Sequence, residues 1–157
     1  MEFMSNLTKI QQNKAITFAS MPTIHTRYLG DLRTEAIHVN SGARLITDAP
    51  LDNQGKGASF SPTDTLCAAL TSCMFTIMGI AARTHGIQIE GIQADTTKFM
   101  ASGPRKVSRI EIRIYGFPVL YSDKEKAILE KAACTCPVAL SLHPDTQLDI
   151  NFEYGQA

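Results

Sequence analysis

The sequence lacks tryptophan altogether, carries no net charge and has few cysteines and no excess of glycine or proline. Fifteen lysines and arginines balance fifteen aspartates and glutamates, so no general electrostatic attraction draws the chain to nucleic acid or to an anionic membrane. Four cysteines in 157 residues are too few for a secreted fold held together by disulfides. A hydrophobic content of 44% excludes a disordered chain, and the length suits one domain with a real core.

The N-terminal segment contains no apolar run as long as that of a secretory signal, because Lys9 and Lys14 interrupt it. We predict a loose extension or a short leading strand over residues 1–22, followed by one domain over residues 23–157. The cytosol is then the expected compartment, in which thiols are reduced at rest. We expect neither a membrane nor a nucleic-acid partner.

The pattern of apolar and polar residues predicts an α+β fold. Alternation predicts strands, and longer periodic or uncharged runs predict helices. The loop between the third strand and the first helix is rich in Gly, Asp and Asn, which favours a mobile segment. The order of elements lacks the strict strand–helix alternation of a doubly wound sheet. The predicted strands are 23–29, 35–40, 44–47, 87–100, 107–115 and 146–153, the helices are 65–82, 124–133 and 136–142, and the loop is 48–60.

The longest uncharged run, residues 65–82, follows a clear helix start. Ser61 and Asp64 have the spacing of a capping box, and Pro62 fits the first helical position. Hydroxyls and small residues spread through the run argue against a membrane span, although its length is at the lower limit for one. We therefore predict a helix that is buried on nearly all sides, with the help of a second subunit.

The four cysteines do not have the spacing of a structural zinc site, because neither C-x5-C nor C-x-C matches the usual knuckle. A helix separates Cys67 and Cys73 by about 9 Å along its axis, which is too far for a disulfide. We interpret Cys67 and Cys134 as packing residues. Cys136 precedes a proline and so lies at a helix start, where free N–H groups favour a thiolate. Cys73 lies in mid-helix, so a reactive role would require a nearby cation.

Two motifs resemble the OsmC/Ohr family of thiol-dependent peroxidases. The first is residues 61–74 (SPTDTLCAALTSCM), in which a helix-opening proline is followed by leucine, small residues and a cysteine. The second is Cys136-Pro137-Val138. The resemblance covers about residues 22–155. It implies antiparallel sheets around long central helices in an intertwined homodimer, with a site at the subunit interface. We expect no cofactor and no metal.

The resemblance also implies a mechanism. Cys73 would be the peroxidatic thiolate and Cys136 the resolving thiol, with a hydroperoxide as substrate and a dithiol as reductant. An arginine of the early strands would stabilise the thiolate. Arg33 is the best positional match, and Arg27 and Arg44 are alternatives.

One departure from the family pattern concerns the acid that pairs with this arginine. The peroxidase branches place glutamate directly after the helix-opening proline, whereas this chain has Thr63 there and Asp64 next. Asp64 is therefore the candidate acid. The alternative is that Asp64 caps the helix and has no other role. Two other functions remain open: a non-catalytic protein that binds a small apolar ligand, and a redox sensor in which oxidation of Cys73 changes the shape of the dimer.

Overall fold

The computed structural model of the protein describes residues 22–155. The predicted extension over residues 1–22 lies outside this range except for Pro22. The fold is α+β, as predicted. The chain divides into two compact units, residues 1–59 and residues 60–157, and each is described by itself. The strands and helices are β1 (Ile24–Gly30), β2 (Arg33–His38), β3 (Arg44–Asp48), α1 (Pro62–His85), β4 (Gln93–Ser102), β5 (Arg105–Tyr115), α2 (Asp123–Cys134), α3 (Pro137–Leu140) and β6 (Gln147–Phe152).

The first unit is a three-stranded antiparallel sheet in the order β1-β2-β3. The sequence predicts a mobile loop over residues 48–60, directly after β3. Hydrogen bonds connect this segment to β3. The backbone N–H of Ala58 donates to Asp48 Oδ2 at 2.8 Å, and Ser59 Oγ donates to the carbonyl of Ile46 at 2.8 Å. A short 3-10 turn, Leu51–Asn53, lies within it.

The second unit holds a sheet in the order β4-β5-β6. Strands β4 and β5 form the predicted antiparallel hairpin, with β4 beginning at Gln93 rather than at residue 87. The prediction of purely antiparallel sheets is wrong for the last strand, because β6 pairs parallel to β5. Two helices connect β5 to β6, and only a long crossover of this kind brings the chain back in the same direction.

The sequence around α1 defines both ends of this helix. The N–H of Asp64 donates to Ser61 Oγ at 3.1 Å, and the N–H of Ser61 donates to Asp64 Oδ2 at 2.7 Å, so the predicted capping box is present. Gly86 ends the helix in the left-handed conformation, with φ of 67°, which costs a glycine little.

One face of α1 packs into the core of the second unit against β5 and α2. Burying each large side chain there contributes about 1.5–3 kcal/mol to folding. The buried residues of the helix recur every three or four positions, which is the period of a single helix face. They are Cys67, Leu70, Met74, Met78 and Ala82.

The opposite face of α1 is exposed in the single chain, so burial of this helix on nearly all sides, which was expected with the help of a second subunit, stays a prediction. Its exposed residues are mostly small or apolar, and they include Leu66, Ala69, Ser72, Thr76 and Ile80. The helix α1 is long and apolar enough to span a membrane. The core helix of a soluble protein meets the same criteria of length and composition. We interpret α1 as a core helix, because its buried face packs against a sheet.

Candidate functional site

The two cysteines predicted to react lie side by side in the second unit. Cys73, in the middle of α1, is partly exposed, whereas Cys136, directly before α3, is fully buried. The side chain of Cys73 lies close enough to the Cys136 thiol to raise the pKa of that thiol. Two sulfurs in this contact can form a disulfide with only a small movement of their side chains.

Cys136 caps α3, as its position before Pro137 predicted. Its Sγ accepts a hydrogen bond from the N–H of Ala139 at 3.4 Å. Burial raises the pKa of the Cys136 thiol and the adjacent Cys73 raises it further, whereas the N–H groups of Ala139 and Val138 oppose this shift. At neutral pH, Cys136 is therefore held mainly as a neutral thiol.

The apolar residues near Cys73 in the sequence serve mainly as core. Leu70 is fully buried, and Phe75 and Ile77 are half-buried against the core. Leu70 is therefore closed to a substrate, and the structure gives the other two a packing role.

Asp64 is bound at both carboxylate oxygens. Oδ2 accepts from the N–H of Ser61, and Oδ1 forms an ion pair with Lys98 of β4. Partial burial by itself would raise the pKa of Asp64, but the hydrogen bonds from Lys98 and Ser61 outweigh it and hold the pKa below its usual value. The structure thus gives Asp64 a capping and pairing role, and its role in chemistry stays a prediction.

Lys98 is the residue near the helix start that sequence analysis missed. Its Nζ lies 3.2 Å from Ser61 Oγ in addition to pairing with Asp64. The side chain is only 20% exposed. A signal for it exists in the sequence, because alternation along β4 places this lysine on the same face as the half-buried Thr96 and Met100.

The three candidate arginines of the first unit differ in their partners. Arg27 and Arg44 both bind the buried carboxylate of Glu35, with N–O distances of 2.7 and 3.0 Å. Arg33 is half-buried, and its buried Nε has no hydrogen-bond partner among residues 22–155. Its register partner in β3, Asp48, is fully buried and has one unpartnered oxygen, Oδ1. Sequence analysis missed Glu35. Of the three candidates, Arg33 is therefore the one without a carboxylate partner among residues 22–155.

The other two cysteines behave differently from each other. Cys67 is buried, as predicted, and burial raises its pKa, with Lys98 acting in the opposite direction. Cys134 was interpreted as a packing residue, which is wrong, because the residue is exposed at the end of α2. Over the described range, no three His, Cys, Asp or Glu side chains lie close enough together to hold a metal ion.

Comparison with known proteins identifies the family. Residues 55–151 match the family described as OsmC-like protein. A solved structure from Psychrobacter arcticus, provisionally described as an osmotic stress induced and detoxification response protein, is 49% identical, with a TM-score of 0.83. The match covers 88% of this chain and all of that one. No curated protein matches. The chain therefore belongs to the OsmC-like family, as the two motifs indicated.

More distant structures share the fold. An organic hydroperoxide resistance protein OsmC from Legionella pneumophila is 15% identical, with a TM-score of 0.65 over 85% of this chain and 98% of that one. An organic hydroperoxide resistance protein from Elizabethkingia anophelis is 13% identical, with a TM-score of 0.64 over 87% of this chain and 99% of that one. At these identities the likeness establishes the OsmC fold.

Proposed function

We propose that the protein is a cysteine-based peroxidase that reduces organic hydroperoxides, and hydrogen peroxide more slowly, in defence against oxidative stress. The observation that supports this most directly is the contact between a partly exposed thiol on α1 and a buried thiol that caps α3. Family relatives named for organic hydroperoxide resistance support the same reading.

The bonds that form and break in this reaction involve the two thiols, the hydroperoxide, a proton source and a reductant. The Cys73 thiolate attacks one oxygen of the hydroperoxide, the O–O bond breaks, and the alcohol leaves after taking a proton. Cys73 becomes a sulfenic acid. The Cys136 sulfur then attacks the Cys73 sulfur, water leaves, and a disulfide forms. A dithiol restores both thiols by two exchange steps and is itself oxidised to a disulfide.

Activation of Cys73 requires a cation, because mid-helix the helix dipole gives little help. We assign this role to Arg33, because Arg27 and Arg44 are both bound to the carboxylate of Glu35. The Nε of Arg33 is buried and has no hydrogen-bond partner among residues 22–155. Asp64 as the acid partner of this arginine stays a prediction.

The proposed functional form is an intertwined homodimer. The exposed face of α1 lacks charge from Leu66 to Ile80 and is rich in small residues, so a second copy can approach it closely. Light scattering should then give about twice the chain mass of 17.2 kDa. A stable monomer at micromolar concentration would contradict this. The cytosolic location, like the lack of nucleic-acid and membrane partners, stays a prediction.

The test is a peroxidase assay with cumene hydroperoxide and dithiothreitol on three variants. Cys73→Ser should abolish reduction, and Cys136→Ser should consume one equivalent of hydroperoxide and then stop. Cys67→Ser is the matched control, because it changes a buried cysteine of the same helix, and it should keep most of the activity. If the wild type forms a disulfide without turnover, the redox sensor replaces the peroxidase. If Cys73 does not react at all, a non-catalytic protein that binds a small apolar ligand becomes the leading hypothesis.

A further inference from the structure

Two buried polar atoms of opposite charge in the first unit have no hydrogen-bond partner. They are Nε of Arg33 and Oδ1 of Asp48, and the statement holds for residues 22–155. Asp48 is fully buried, and Arg33 is half-buried. A charged group that loses its hydration shell on burial is normally paired, because the loss is costly unless a partner replaces the water. Each of these two atoms therefore requires a partner that the protein supplies.

The register of the first sheet places the two residues directly opposite each other. Arg33 begins β2, and its Cα partner in β3 is Asp48. The N–H of Ala49 donates to the carbonyl of Leu32 at 3.2 Å. In an antiparallel ladder, this bond makes Arg33 and Asp48 a non-hydrogen-bonded pair, in which the Cα atoms are about 4.5 Å apart and both side chains project from the same face. The guanidinium and the carboxylate thus start from neighbouring points on one face of the sheet.

The carboxylate of Asp48 has one oxygen to offer to an arginine. The N–H of Ala58 donates to its Oδ2 at 2.8 Å, which orients the carboxylate and leaves Oδ1 unused. The other candidate acids are already engaged. Glu35, a second buried carboxylate of this sheet, binds two arginines, and both oxygens of Asp64 are bound. Asp48 is therefore the carboxylate best suited to pair with Arg33.

We infer that Asp48 is the acid that positions Arg33 for the reaction. The inference rests on the proposed peroxidase function. A small rotation of the arginine side chain lets its Nε–H donate to Asp48 Oδ1, which satisfies both buried atoms with one bond. The terminal nitrogens of the guanidinium carry four further N–H groups, and these stay free to face the Cys73 thiolate. Asp48 acts through Arg33 and does not touch the substrate.

Fixing one edge of the guanidinium has a consequence for the rate. The arginine side chain is long and has many rotamers, so an unheld guanidinium spends little time in the orientation that a thiolate needs. A bond at Nε removes much of this freedom before the hydroperoxide arrives, and correct orientation of reacting groups is a large part of catalysis. Loss of the Asp48 charge should therefore slow the oxidation of Cys73 without removing any group that contacts the thiolate.

Nuclear magnetic resonance of the reduced protein tests the pairing without any peroxide. A buried, hydrogen-bonded Nε–H exchanges slowly with water, whereas a free one exchanges fast. The Arg33 signal is identified by its absence from the spectrum of Arg33→Ala. We expect a protected signal in the wild type and exchange faster by about tenfold or more in Asp48→Asn. The amide oxygen of asparagine can keep the bond from Ala58, but its NH2 group cannot accept the Nε–H.

First-turnover oxidation of Cys73 by cumene hydroperoxide, measured without a reductant, tests the effect on the reaction. Asp48→Asn should be roughly threefold to tenfold slower than the wild type. In the Arg33→Ala background, the same change should have no further effect, because two residues that act as a unit are not additive. Thr47→Val is the matched control. It removes the hydroxyl bond between Thr47 and Thr34, on the opposite face of the same two strands, and it should keep the wild-type rate and the protected Arg33 signal.

A fast-exchanging Arg33 Nε–H in the wild type, or a signal that is equally protected in Asp48→Asn, would overturn the pairing. A wild-type rate in Asp48→Asn, or a further loss in the double variant, would overturn the positioning role and leave the peroxidase function intact. Faster oxidation in Asp48→Asn would overturn it too, because Asp48 would then compete with the thiolate for the arginine. A wild-type protein whose Cys73 does not react would overturn the proposed function, and the resonance measurement, which needs no peroxide, separates that case from loss of the pairing.

Discussion

Replacing Asp64 by asparagine separates the capping role of this residue from a role in chemistry. The amide oxygen of asparagine can still accept the bond from the Ser61 N–H, so the cap is kept, but the charge opposite Lys98 is lost. The side chains of Asp64 and Lys98 are 40% and 20% exposed, and exposed ion pairs contribute about 0–1 kcal/mol. The relatively sheltered lysine places the expected loss near the upper end, about 1 kcal/mol.

The matched variant Asp64→Ala removes the acceptor as well as the charge. Loss of a cap hydrogen bond costs roughly a further 0.5–1 kcal/mol. For a chain of this size, each kcal/mol lowers the melting temperature by about 2–4 °C. Thermal unfolding followed by circular dichroism should therefore rank the stabilities as wild type, then Asp64→Asn, then Asp64→Ala.

The dependence on pH follows from the lowered pKa of Asp64. The folded state holds the ionised carboxylate more favourably than the unfolded state does, so this stabilisation is complete above the usual pKa of 3.8 and is lost as the pH falls through the folded-state pKa. The stability gap between wild type and Asp64→Asn should therefore shrink once the pH falls below about 4.

The same variant tests the chemical role of Asp64 that the family resemblance implied. Both oxygens of the carboxylate are already engaged, so we expect Asp64→Asn to keep its first-turnover oxidation of Cys73, measured by counting thiols after one equivalent of hydroperoxide. A folded Asp64→Asn protein that oxidises Cys73 more than tenfold more slowly would refute this reasoning and favour an acid that acts with Arg33. A gap that persists unchanged at low pH would refute the ion pair.

Two further predictions concern the arginine and the thiols. Arg33→Ala should slow first-turnover oxidation of Cys73 by about tenfold or more, because loss of a charge contact disfavours the thiolate. Arg44→Ala is the control and should not slow it, since the Arg44 guanidinium is bound to Glu35. Equal rates for the two variants in a stopped-flow assay would exclude Arg33 as the activating cation. In the reduced, folded protein, iodoacetamide should modify the exposed Cys134 well before the buried Cys136, and the rate at Cys134 should keep rising beyond pH 9, because partial burial and Glu130 raise its pKa above 9.0. Faster modification of Cys136 than of Cys134, measured by mass spectrometry, would contradict the burial of Cys136.

Local features of the sequence determined most of the elements. The alternation of residues predicted six strands, and the Ser61 capping box and the proline after Cys136 predicted two helix starts that the structure has. Such features can be read from the chain because the bonds that define them join residues only a few positions apart. The two cysteine motifs further predicted the family, which the comparisons confirm.

Tertiary structure alone decided how distant parts of the chain meet. The parallel pairing of β6 with β5 depends on the crossover through α2 and α3, and alternation along a strand says nothing of its direction. The position of Lys98 beside Asp64 likewise depends on how β4 packs against α1. The clearest case is Cys134 and Cys136, which are the same residue type two positions apart, one exposed and one buried. The junction between two packed helices sets that difference, and no local pattern of residues encodes it.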